Sequence, residues 1–186
     1  DDNLTTIGGT ATKTFTVFES VTFSGVLHGS IATSVADGAT LTIAANLAAG
    51  KTINKQNSSG KVAVQIGTAD NDDNLTTIAG TAEKTFTVFE SVTFSGVLHG
   101  SIKTSVNASQ TLTTTAAIAN GKTIDGDGLV AITALHSTLA ANLGAITATG
   151  GVTAAFGGNG TFEGVLGNAV VTVADDVTMT AAANKV

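Results

Sequence analysis

The chain has 186 residues, 42% of them apolar and only 12% charged, with a formal net charge of −6 and no arginine. So apolar a chain is not disordered, and so sparse a charge is unlike that of an ordinary cytosolic enzyme. With no basic footprint a nucleic-acid partner is excluded, and with no cysteine so are disulfides, thiolate metal sites and cysteine nucleophiles.

Thr, Ala, Gly and Val dominate, while Pro, Trp and Tyr are missing. Thr and Val fit a pleated surface, and Gly, Asn and Asp serve the turns between strands, so the composition reads as all-β. No basic start followed by an apolar run opens the chain at Asp1, which reads as a mature or excised segment. Residues 129–157 carry no charge, but Thr, Asn, His and Gly interrupt them too often for a membrane helix, and no membrane insertion is expected.

Residues 72–106 repeat residues 1–35 at an offset of 71, and only Gly8/Ala79, Thr12/Glu83 and Ala32/Lys103 differ. The likeness continues from 39–53 to 110–124, keeping Thr40/Thr111, Leu41/Leu112, Gly50/Gly121, Lys51/Lys122 and Ile53/Ile124. A diverged third copy follows at an offset of 68, where TFEGVLGNAVVTV (161–173) matches TFSGVLHGSIKTS (93–105). The copies are assigned to residues 1–71, 72–139 and 140–186, the last partial, giving about 2.6 repeats in one continuous unit. A fixed period of this kind marks an array or a solenoid.

Within the first copy the apolar period is two: Phe15, Val17, Val21 and Phe23 alternate with Thr14, Thr16 and Thr22. The step at Val17-Phe18-Glu19 breaks it and predicts a bend or bulge. Short strands are predicted around Val26–Leu27, Ile31–Val35, Leu41–Ile43 and Thr52–Ile53, each bounded by Gly, Asn, Asp or Ser. Leu129, Ile132, Leu135, Leu139, Leu143 and Ile146 have helical spacing, but the stretch aligns with residues 62–78 and is read as strands.

Two architectures fit: a β-solenoid resembling a parallel β-helix, or tandem or fused β-sandwich domains. A solenoid tolerates a partial copy and small slips, because each coil contacts only its neighbours. The sandwich would lack the buried Trp and corner Tyr common in that class. The solenoid is preferred, with roughly 18–24 residues per coil, three or four coils per repeat, and a rod of roughly 40–50 Å at ~4.8 Å per coil.

Candidate chemistry is thin. Asp70, Asp72 and Asp73 form one acidic cluster, and Asp125 and Asp127 another. Hard cations favour such oxygen-rich loops, so these five are the calcium candidates. Counting 12 from Asp125 reaches His136 instead of the Glu an EF-hand requires, and Asp and Asn are also ordinary turn formers. His28 and His99 are equivalent, with Gly167 in their place in the third copy, and His136 has no equivalent. Ala/Asn-Gly-Lys-Thr-Ile around Lys51 and Lys122 echoes a phosphate loop but lacks its upstream glycine, and reads as a strand start. No catalytic set is present, and no enzyme is expected. The Thr-x-Thr pairs at 14–16, 40–42, 85–87, 111–113 and 178–180 would suit an ice-binding face only if they recurred once per coil. Their spacings of 26, 45, 26 and 67 share no coil length. The sequons at Asn3, Asn57, Asn74, Asn107 and Asn159 are no more than a Thr-rich chain yields by chance.

ADGATLTIAANLAAGKTI, preceded by VTFSGVLHGSI, resembles the repeats of bacterial autotransporter passengers and large surface adhesins, including rickettsia-type outer-membrane antigens. The resemblance lies in Thr/Gly/Asn richness, long imperfect repeats and the lack of Cys. It implies a secreted, extracellular β-structure that spaces, coats or adheres: an adhesin stalk segment, or a self-assembling filament or surface-layer subunit. A ligand-binding adhesin module for glycans or host surfaces is the alternative. Self-association is the expected partnership, since an incomplete copy leaves strand edges that can pair.

Overall fold

The computed structural model describes residues 4–182 and 184 except Thr12; the acidic start at residues 1–3, with its sequon at Asn3, lies outside the described residues. The chain winds as a parallel β-solenoid of about 8 turns, which settles the choice against sandwich domains. At ~4.8 Å per turn the stack is roughly 40 Å long. In the first copy the strands are β1 (Phe15–Val17), β2 (Val21–Phe23), β3 (Thr33–Val35), β4 (Thr40–Ala44), β5 (Ile53–Lys55) and β6 (Lys61–Ile66). The second has β7 (Glu83–Val88), β8 (Val92–Phe94), β9 (Thr104–Val106), β10 (Thr111–Thr115), β11 (Ile124–Gly126) and β12 (Leu129–Leu135). The third adds β13 (Val152–Phe156), β14 (Gly160–Phe162), β15 (Val170–Val173) and β16 (Met179–Ala181).

Every strand pairing is parallel, and partners lie one coil apart. Along the largest sheet the registers Val21↔Leu41, Leu41↔Val62, Val62↔Lys84, Phe86↔Thr104 and Thr104↔Ile124 give steps of 20, 21, 22, 18 and 20 residues. The interior therefore consists of stacked columns. Phe23, Ile43, Val64, Phe86, Thr104 and Ile124 follow one another up the axis, and all but Phe23 are buried. Alternation along each strand sends the next residue outward, which is why the period-two signal was legible.

The copies do not stack face on face. The first sheet contains β1-β3-β5, and the second runs β2-β4-β6-β7-β9-β11. Thus β7, the sequence equivalent of β1, continues the sheet that β2 began, and β8 opens a third sheet, β8-β10-β12-β13-β15. In the third copy β13, equivalent to β7, moves on to that third sheet, and β14 pairs with β16 in a fourth. The cause is arithmetic. From Phe15 three coil steps (Phe15↔Thr33, Thr33↔Ile53, Thr52↔Ala79) bring the chain above β5, and one more corner is needed to reach β7. Seventy-one residues span three coils and part of a fourth, so each copy advances its strands by one sheet.

Two local expectations are corrected. Val26–Leu27 is a turn, not a strand, whereas the bend expected at Val17-Phe18-Glu19 is present as the corner between β1 and β2. Lys51 does not start a strand. The preceding segments form single helical turns, α1 (Ala45–Ala48) and α2 (Ala116–Ala119), which the sequence reading did not anticipate. Gly50 and Gly121 follow at φ +71° and +68°, the left-handed conformation that ends a helix, and the Lys51 and Lys122 amides donate back to Ala48 and Ala119. The stretch at 129–146 is β12 followed by turns. Val130, Ile132, Leu135, Leu143 and Ile146 all reach the core, so its helical spacing comes from crossing a corner.

Candidate functional site

Asp70 sits at the end of a 3-10 turn (Thr68–Asp70) with 2% of its surface exposed. Its Oδ2 accepts from the Gly67 amide at 2.8 Å, and its Oδ1 accepts from the Asn46 amide of the preceding coil at 2.9 Å. The carboxylate thus ties one corner of the coil to the corner below. Asp72 is exposed, and Asp73 is half-buried with a buried Oδ2 that has no hydrogen-bond partner. Burial first, then the charges of Asp70 and Asp72, raise the Asp73 pKa above the ordinary carboxylate value.

That shift has a stability consequence. A carboxyl whose pKa is raised on folding stabilises the native state while protonated, and this contribution disappears as pH rises through the folded pKa. Asp73→Asn should therefore leave stability unchanged well below the carboxylate range and increase it above. Thermal melts of both proteins across the acid range check this, and parallel curves at every pH would contradict it.

The second acidic pair is drawn to two different neighbours. Asp125 Oδ2 accepts from Lys103 Nζ of the coil before at 2.6 Å, leaving a buried Oδ1 without a partner. Asp127 Oδ1 accepts from Thr149 Oγ1 of the coil after at 2.8 Å. Among the described residues no three His, Asp or Glu side chains are grouped to hold a metal ion. Of the five calcium candidates, Asp70, Asp125 and Asp127 are engaged by protein donors.

The histidines build turns. His99 Nδ1 accepts from the amides of Ser101 and Ile102, both at 3.1 Å, and its ring stacks on Phe86 at 5.8 Å. His28 Nδ1 accepts from the Ser30 amide at 3.0 Å, and its ring lies tilted beside Phe15 at 6.2 Å. Burial first, then Lys84 and Lys122, lower the His99 pKa, which favours the neutral ring whose Nδ1 can accept. In the third copy Gly167 turns at φ +60° by backbone freedom instead. His136 Nδ1 lies 2.6 Å from Thr138 Oγ1.

The differences between copies one and two have a structural meaning. Glu83 pairs with Lys61 at 3.5 Å and Lys103 with Asp125 at 2.6 Å, each bridging adjacent coils on the second sheet. The Lys61–Glu83 pair is exposed on both sides, and pairs of that kind contribute under ~1 kcal/mol, whereas Asp125 in the second pair is partly buried. Polar turn residues also bond from coil to coil. Asp37 accepts from the Ser58 and Ser59 amides at 2.8 and 2.9 Å, and those bonds hold its pKa below the ordinary value. Asn54 accepts from the Thr81 amide at 3.1 Å, and Asn120 from the Asn142 amide at 2.8 Å.

Sequence reasoning took the glycine before Val-Leu in SGVL, SGVL and EGVL for a turn residue alone. A Cβ on Gly96 would overlap the Asp73 carbonyl oxygen, and one on Gly164 the Ala141 carbonyl oxygen. The backbones of successive coils meet there, and the signal was the survival of Gly in all three copies. Compared with family models, curated proteins and solved structures, the chain matches none.

Proposed function

We propose that the protein is an extracellular structural component of a bacterial surface, a stalk segment or filament or layer subunit that works by stacking coils. One comparison carries this reading. The near-identical 35-residue block stands open in copy one and covered in copy two. Phe86, Val88, Val92 and Phe94 are at most 5% exposed, because Lys61–Ile66 and the following corner lie beneath them. Their equivalents Phe15, Val17 and Phe23 are half-buried and Val21 is 44% exposed, while Phe18 is 74% exposed against a half-buried Phe89. The same surface that accepts a coil within the chain stands uncovered among the described residues, and a further coil stacked on it would bury it. In the last coil the inward-facing Val173 is 38% exposed and Val171 and Met179 are half-buried, so this coil too offers apolar side chains and a parallel strand edge. The low charge and the long repeat support the same reading, as does the likeness to surface adhesins.

Negative-stain electron microscopy and sedimentation over a concentration series test it. The wild-type protein should form rods longer than roughly 40 Å, and Val21→Lys should shift the population to single rods, because a lysine ammonium there would have to be desolvated at the junction. Single rods at every concentration, indifferent to Val21→Lys, would remove the proposal.

A further inference from the structure

Among the described residues, four corners of the solenoid are closed by a side chain that accepts from the amide two residues ahead. Asn74 Oδ1 takes the Thr76 amide and Asn142 Oδ1 the Gly144 amide, both at 3.0 Å. At the other two the acceptor is the Nδ1 of His28 or His99, and the equivalent corner in copy three turns on Gly167. The turn itself therefore does not require histidine. What histidine adds is an acceptor that titrates near neutrality.

His99 shows the consequence most fully. Its Nδ1 accepts two amides at once, those of Ser101 and Ile102. A ring nitrogen that accepts N–H groups carries no proton, so the neutral ring holds its proton on Nε2. A second proton can enter only at Nδ1. It would turn the acceptor into a donor facing two donors, and both bonds would be lost together.

The surroundings oppose that proton. Lys84 of β7 and Lys122, just after α2, are the charges that bear on the ring. The Lys84 ammonium donates to the carbonyls of Gly80 and Ala82 at 2.7 and 3.3 Å, and the Lys122 ammonium lies over Gly100. Among the described residues neither lysine has a carboxylate partner, since Glu83 is paired with Lys61 and Asp125 with Lys103. On the coil below, Asp73 is the titrating carboxyl of this corner, and its carbonyl accepts the Val97 amide. The other face of the His99 ring stacks on Phe86, which is 1% exposed. Phe86 and Ile102 in turn line a cleft of about 460 Å³ beside β7. The corner that His99 holds is thus one wall of that cleft.

We infer that residues 98–102 form an acid-released latch: neutral His99 holds the corner, and a proton at Nδ1 frees Ser101 and Ile102 and opens the cleft beside Phe86. Folding disfavours the charged ring, by burial first and then by the two lysines, so the unfolded chain binds the proton at higher pH. The stability the latch contributes is complete above the ordinary histidine value of ~6.5, and it is lost as pH falls below that value and through the folded one. The latch acts within one chain, so it stands or falls independently of the stacking reading.

Amide hydrogen exchange followed by NMR, between about pH 7.5 and about pH 4.5, tests it on the wild type and on His99→Asn. Gly144 is the internal reference, because its amide is held in the same kind of turn by an acceptor that does not titrate. Protection of Ser101 relative to Gly144 should fall roughly tenfold with acid in the wild type, the worth of a net hydrogen bond. In His99→Asn the ratio should stay flat. Circular dichroism melts establish that the variant is folded; if it is not, His99→Gly, the residue of copy three at this turn, replaces it with a flat ratio again expected. A flat ratio in the wild type overturns the inference. So does a fall that persists in the folded variant, since Asp73 or another carboxyl would then be the titrating group.

Discussion

Phe86→Ala should destabilise the protein by about 3–5 kcal/mol, the range for emptying a closed core. Phe15→Ala, in a local sequence that is nearly the same, should cost only about 1–2 kcal/mol, since a half-exposed ring loses far less buried surface. The difference lies one coil away. Phe86 is 1% exposed because it is register-paired with Val64, while Phe15 pairs only with Thr33 of the coil above it. Urea titrations followed by circular dichroism, at concentrations where the protein is a single rod, should show the two midpoints well separated. In the stacked form a second copy would cover Phe15, and the two costs should converge. Equal effects in the single rod would mean that the first copy is covered as fully as the second, against the structure.

The second large effect concerns glycine. Gly96→Ala should destabilise by roughly 3 kcal/mol, the upper end for overpacking, since the obstacle is backbone and cannot rotate away. A Cβ at Gly96 meets the main chain of Asp72 and Asp73, in the corner that also carries the Val97-to-Asp73 amide bond of 2.9 Å. The coils would have to separate there, which weakens the parallel ladder on either side. Gly38→Ala is the comparison: φ is +76°, but nothing lies within 4 Å of the added carbon. It should cost about 1 kcal/mol, from conformation alone. Thermal melts of the two variants decide the matter. A Gly96→Ala protein as stable as Gly38→Ala would show that the coils approach less closely than described.

Much of the fold was legible because the solenoid is built from local signals. The alternation Phe15, Val17, Val21, Phe23 announced strands, and Asp37-Gly38, Gly50 and Asn57–Gly60 announced the turns between them. The failures share one cause. Val26–Leu27 is apolar yet turns, because Gly25 and His28 shape a corner there and Leu27 is buried from it. Ala45–Ala48 forms a single helical turn that buries Ala45 and Ala48 and leaves Asn46 exposed, a pattern too short to be read from spacing. Asp70 looked like one member of an acidic loop, and its two amide partners, one of them Asn46 on the coil below, could not be read from spacing.

The sequence by itself determined the period, the all-β character, the coil length and the residues that turn the chain, since all of these depend on neighbours a few positions apart. Only the tertiary structure decided which sheet each copy occupies. A strand's neighbours in space lie about 20 residues away, and a 71-residue repeat that does not close on a whole number of coils gives equivalent strands different partners. That mismatch buries Phe86 while leaving Phe15 half open.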